Sequence, residues 1–91
     1  MRSAVQIRSL TPMYTVYVLQ SLVNNRRYIG STNDINRRLL EHNSGHTKYT
    51  RLTRPFKLIY QEEYSTLVEA VRRELELKSG KGREWLNSVL S

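Results

Sequence analysis

The chain has 91 residues, a formal net charge of +7 and no cysteine. A chain of that length holds one domain around one core, and burying only about 60–65% of its unfolded surface leaves a modest stability margin. The missing cysteine excludes disulfides and thiolate metal sites, which makes a reducing cytoplasm the expected compartment, and no apolar run approaches the roughly 18 residues of a membrane helix.

The charge is uneven. Residues 1–54 hold nine Lys/Arg against two Asp/Glu, whereas residues 55–91 hold six of each. A one-sided basic excess points to a polyanion, with nucleic acid ahead of solubility alone. A membrane surface is disfavoured, because no segment is a strongly amphipathic basic helix with aromatic anchors.

In chain order, "MRSAVQIRSLTP" (1–12) lacks the apolar centre of a signal peptide. It is expected to be a loosely ordered leader, with Met13 as an alternative start and 13–91 as a single domain. "MYTVYVL" (13–19) is β-branched and aromatic, as a strand should be. Tyr14, Val16 and Val18 would share one face, Thr15, Tyr17 and Leu19 the other. Asn24 and Asn25 signal a turn, and "RYIG" (27–30) reads as the second strand of a hairpin. "STND" supplies helix N-caps for "INRRLLEHN", with Gly45 as the stop. The stretch 45–55 is polar and basic, a loop with one helical turn at most.

"FKLIYQEEY" (56–64) is a third strand. Thr66 and Glu69 form a capping box for the long helix that Gly80 ends. "GREWLNSVL" gives a last short helix, with Trp85, Leu86, Val89 and Leu90 packing back. The expected fold is therefore α+β: a small three-stranded antiparallel or mixed sheet flanked by helices, in order β-β-α-β-α-α.

Three features could carry chemistry. Arg38 and His42 are four apart, share a helix face and border the Ile35–Leu39 core stripe. Their plain reading is amphipathic edging, in which Arg38 snorkels and His42 makes a structural hydrogen bond. Arg37 and Glu41 look like a surface pair. Glu74 is the second feature. At about 100° per residue, Leu67, Ala70, Val71, Leu75 and Leu77 bracket it, while Glu69, Arg72, Arg73 and Glu76 point away. A buried carboxylate needs a partner. Lys78, one turn on, offers an ion pair; a divalent cation is the functional alternative, and oxygen ligands suit Mg²⁺ or Mn²⁺. The sequence leaves these two open. Third, Tyr17 and Tyr28 sit on adjacent strands, with Gly30 permitting close backbone approach. Half-buried strands favour aromatics without any chemistry, and a phenol of ordinary pKa is a poor base.

Together, "VYVL" (16–19), "YIG" (28–30), "RRLLEH" (37–42) and "AVRRELELK" (70–78) resemble the GIY-YIG endonuclease superfamily, over about 13–88. The likeness is to its short stand-alone bacterial members and to the N-terminal nuclease domain of the excinuclease subunit that cuts at DNA lesions. Tyr17 matches the tyrosine of "GIY", Tyr28 and Gly30 match "YIG", and Arg38, His42 and Glu74 match the family's arginine, histidine and metal-binding glutamate. Thr15 and Val16 replace the glycine and isoleucine of "GIY", and Ser31 stands where some relatives carry a lysine.

The resemblance implies metal-dependent hydrolysis of phosphodiester bonds, with DNA favoured over RNA and structured DNA of repair or recombination as the expected substrate class. Glu74 would hold a single Mg²⁺ or Mn²⁺. Tyr17 would help deprotonate water, Tyr28 and His42 would position it, and Arg38 would neutralise charge on the phosphorane. Nucleic-acid contacts would come from Arg26, Arg27, Arg37, Lys48, Arg51 and Arg54, and from a homodimer or a partner protein. The alternative is a non-catalytic nucleic-acid-binding module of the same fold.

Overall fold

A computed structural model describes residues 13–90, so the expected leader lies outside the described residues. Three strands form the sheet: β1 (Tyr14–Ser21), β2 (Arg27–Thr32) and β3 (Phe56–Tyr64). The order is β2-β1-β3 and both pairings are antiparallel. The hairpin turns at Asn25, whose φ of 62° lies in the left-handed region that asparagine tolerates. Ser21 Oγ caps the turn by accepting from the backbone N–H of Val23 and Asn24.

Alternation on β1 gives the sheet two apolar faces. Val16 and Val18 pack with Ala70, Leu77 and Leu86 on one side. Tyr17, Leu19 and Phe56 pack with Ile35, Leu39 and Leu58 on the other. The central strand is therefore buried on both faces from Thr15 to Leu19.

Helix α1 (Ile35–Asn43) covers the Tyr17 face, and its N-cap is Asp34, whose carboxylate accepts from the Arg37 N–H at 3.0 Å. The stretch expected to be a loop carries a second helix, α2 (Lys48–Thr53). Its signal is a capping box written with threonine at both ends: Thr47 and Thr50 each accept from the other's backbone N–H. The observed order is thus β-β-α-α-β-α-α.

Helices α3 (Leu67–Lys78) and α4 (Gly80–Leu90) cover the Val16 face. The break between them is sharper than expected. Ser79 caps α3, and Gly80 opens α4 instead of ending its predecessor. Gly82 makes the close crossing possible, since a Cβ there would lie 2.6 Å from Leu77 Cα.

The rotation of α3 corrects the wheel drawn from sequence. Only Ala70 and Leu77 are buried; Leu67, Val71 and Leu75 are exposed. Arg73, expected to point away, turns inward and binds Glu62 on β3 through Nε (2.9 Å) and Nη2 (3.1 Å). The apolar arc is too wide to fix one seating, and this bidentate pair selects it. Trp85 and Val89 are likewise largely exposed, although Trp85 meets Tyr60 edge-on and stacks under the Arg73 guanidinium. Among the described residues no helix is long and apolar enough to cross a membrane.

Candidate active site

Tyr17 is paired in register with Gly30 of β2, so both face α1. A Cβ at position 30 would stand 2.7 Å from Tyr17 Cζ. Glycine therefore gives the phenol room to lie across β2. Because β2 is an edge strand, this carries the Tyr17 hydroxyl toward the rim of the sheet.

Glu74 approaches the same rim from the opposite face. The next β2 residue, Ser31, alternates to that side and donates Oγ to Glu74 Oε1 at 2.7 Å. Lys78 Nζ donates to Oε2, also at 2.7 Å. The carboxylate side chain is 17% exposed. Ser31 thus receives a role that the sequence reading, which noted only the lost lysine, did not give it. Strand alternation was the signal available.

From α1 come Arg38 and His42. The buried His42 ring meets Tyr28 edge-on at 4.5 Å, Phe56 at 5.5 Å and Tyr17 at 6.4 Å between centroids. Its Nδ1 lies 3.1 Å from the Arg38 carbonyl oxygen. A carbonyl only accepts, so Nδ1 carries the hydrogen, and in the neutral ring Nε2 keeps its lone pair. Arg38 Nη1 lies 3.6 Å from Glu41, while its Nε is buried without a hydrogen-bond partner among the described residues. Such an orphaned donor is a group that an incoming oxygen would satisfy.

Burial pushes the Tyr17 phenol up to about 12; the Arg38 charge opposes this, and Tyr28, Glu74 and Glu41 add to it. Glu74, bonded to Ser31, lies one residue along β2 from the glycine beneath the Tyr17 ring. At neutral pH the Tyr17 hydroxyl is a donor, which weighs against the role of base that the sequence suggested for it.

Tyr28, Arg38 and His42 line a cleft of about 350 Å³, with His46 and Tyr49 on its other wall. The sequence reading passed over His46 and Tyr49 as part of a polar loop; the α2 capping box would have drawn attention to them. The structure brings Tyr17, Tyr28, Arg38 and His42 into one cluster and sets Glu74 at its edge. The six basic candidates are divided. Arg26 and Arg27 line a separate groove. Arg37 pairs with Glu41 at 3.7 Å, as expected of a surface pair. Arg51 and Arg54 reach the carbonyls of Gly45 and Asn43, tying down the turn before α2, and Lys48 starts that helix.

Residues 13–87 match the family profile described as the GIY-YIG catalytic domain. The chain belongs to the GIY-YIG family. It is 47% identical over 53 residues to a UPF0213 protein of Staphylococcus epidermidis, and 45% identical over 53 residues to one of Staphylococcus saprophyticus. Each match covers 57% of this chain, which spans 65% of the relative's length. The solution structure of a UPF0213 protein from Bacillus halodurans is similar, with 36% identity and a TM-score of 0.53 over 85% of this chain and 84% of that one. The β2-rim cluster thus stands in a catalytic domain of a nuclease family.

Proposed function

We propose that this GIY-YIG domain is a metal-dependent endonuclease that hydrolyses phosphodiester bonds in DNA, with structured DNA of repair or recombination as its substrate class. The observation that carries this reading is the convergence of Tyr17, Tyr28, Arg38 and His42 at the β2 rim, with a half-buried carboxylate beside them.

Among the described residues no group of three or more His, Cys, Asp or Glu gathers that could hold a metal by itself. Glu74 alone fits a hard cation that keeps most of its shell as water and phosphate oxygen, as Mg²⁺ and Mn²⁺ do. Bound there, such an ion would supply Lewis-acid stabilisation of charge on the phosphate and the leaving oxygen.

The chain's own groups do the rest. Arg38, whose side chain is partly exposed, turns its guanidinium toward a phosphate oxygen, where its fixed charge stabilises the phosphorane. Tyr17 and Tyr28 donate hydrogen bonds that place the water and the phosphate. His42 Nε2 takes the proton as the water oxygen bonds to phosphorus and the bond to the leaving sugar oxygen breaks. DNA is held by Arg26, Arg27, Arg37, Lys48, Arg51 and Arg54, with a second copy or a partner protein extending the surface.

The Lys78–Glu74 ion pair favours one competing reading, a binding module without turnover. The two separate on one variant. Glu74→Ala should reduce Mg²⁺- or Mn²⁺-dependent nicking of flap, four-way and duplex DNA to background, while circular dichroism and DNA affinity stay near wild type. Undiminished nicking by that variant refutes the assignment, and wild-type binding with no cleavage in any metal supports the module.

A further inference from the structure

Lys78 belongs to two sites at once. Its ammonium holds Glu74 Oε2 at 2.7 Å, and the same side chain lines an open groove of about 820 Å³ between the β-hairpin and α4. Arg26, Arg27 and Arg83 supply three more cations to that groove, and none of its lining residues is acidic. Tyr28 stands at its border and lines the catalytic cleft as well. Arg27 is already oriented across the groove, donating Nη1 to Asn87 Oδ1 at 2.7 Å. Four cations in a groove whose own lining holds no carboxylate form a polyanion track, and its contact with Tyr28 leads that track to the β2 rim. The sequence reading placed only Arg26 and Arg27 in this role; Lys78 and Arg83 come from α3 and α4, far along the chain.

The same lysine stands against a metal. A divalent ion approaching Glu74 meets a carboxylate whose two oxygens already bind Ser31 and Lys78. The ammonium's like charge raises the free energy of any cation arriving there. Lys78 is the more exposed member of its pair and has a flexible four-carbon stem, so it can swing to a second anion.

We propose that the groove receives the phosphate backbone of the substrate and that a backbone phosphate draws Lys78 off Glu74, so that nucleic acid and divalent ion bind cooperatively. This rests on the nuclease reading. By linkage, each ligand raises affinity for the other by one factor, and about tenfold is the expected size.

The test titrates Mn²⁺ by paramagnetic broadening of amide signals near Glu74, with and without a short phosphorothioate DNA duplex, at fixed ionic strength. Wild type should bind Mn²⁺ about tenfold more tightly when the duplex is present. Lys78→Met alone should reach that tighter affinity without DNA and gain little from adding it. Glu74→Gln should lose the broadening in both conditions. Arg83→Gln should keep the DNA-free Mn²⁺ affinity while weakening both duplex binding and its enhancement. Equal Mn²⁺ affinities in wild type and Lys78→Met, or duplex affinity untouched by Arg83→Gln, overturns the proposal. The two readings fail separately. A protein that nicks DNA without a Lys78 effect keeps the nuclease and loses the coupling; a Lys78 effect without cleavage does the reverse.

Discussion

Tyr17 and Gly30 share one piece of space, and the site depends on that sharing. A methyl group at position 30 would stand 2.7 Å from Tyr17 Cζ, so Gly30→Ala must move the ring or bend the edge strand. Overpacking of this kind costs about 1–3 kcal/mol. The expected result is a lower denaturation midpoint together with a loss of nicking, although the methyl itself touches no substrate. A variant with a normal midpoint and full activity would mean that the position of the Tyr17 hydroxyl is unimportant. Tyr17 also sets an alkaline limit. Its pKa in the fold, about 12, lies above the ordinary value of 10, so the native state holds this proton more tightly than the unfolded chain does. That stabilisation is complete below pH 10 and is lost as pH rises to 12, by about 2–3 kcal/mol. Urea midpoints measured from pH 9 to 12 should fall less steeply in Tyr17→Phe. The residual slope belongs in part to Tyr64, pushed up to about 12 by its hydrogen bond to Glu62, and to Tyr60, raised by burial and the same carboxylate.

At the scale of an element, α3 shows where a helical wheel succeeds and where it stops. It was right that Glu74 borders the buried side, and right about Ala70 and Leu77. It assigned Val71 and Leu75 to the core as well, and these are exposed. Leu77→Ala should therefore cost about 2–5 kcal/mol, whereas Leu75→Ala should stay within about 0.5 kcal/mol in a denaturant titration. Comparable losses at the two positions would restore the original wheel. The reason the sequence could not choose is specific. The deciding contact joins Glu62 and Arg73, eleven residues apart on different elements, with Tyr64 donating to the same carboxylate at 2.6 Å. Burial alone pushes Glu62 up, but the hydrogen bonds from Arg73, Tyr60 and Tyr64 and the Arg73 charge outweigh it, leaving the carboxyl below its ordinary value. Stability from this tie is present above the unfolded value near 4.5 and fades as pH falls through the lower folded value. The strands were legible because β1 and β3 are rich in β-branched and aromatic residues, and the 56–64 boundaries agree with expectation. Helix α2 was not, since its N-terminal capping box has threonine instead of Glu or Gln at its second position and its residues lack an apolar period. Within the site, the residues named by the family motif were legible one at a time. The Glu74–Lys78 ion pair was legible as well, being an i,i+4 contact within α3, whereas the role of Ser31 was not, because it arises only where β2 and α3 meet.

For the whole molecule, the sheet acts as a partition with the candidate site at one rim. Tyr17, Arg38 and His42 come from the α1 face, while Glu74, Ser31 and Lys78 come from the α3 face. The two sets meet at edge strand β2, where Gly30 lies under Tyr17 and Ser31 binds Glu74. Tyr28, on that strand, lines both the cleft and the basic groove, so a bound backbone would pass it on the way from one to the other. The excess charge in the first 54 residues then has a geometric meaning, because the hairpin places Arg26 and Arg27 along that path. Arg72 is the natural control: it lies on α3 beside Glu69 and Glu76, in a shallow hollow away from the rim. Each lysine or arginine that neutralises a phosphate on a duplex contributes about 0.9 to the slope of log affinity against log salt. Exchanging Arg26 and Arg27 together for glutamine should lower that slope by about two and weaken binding to unrelated duplexes alike, while Arg72→Gln should change neither. A fluorescence-anisotropy series over several salt concentrations reads both quantities. Equal slopes in the hairpin double variant and wild type would place the nucleic acid elsewhere, on the α2 side with Lys48, and would remove the physical link between the basic first half of the chain and the β2 rim.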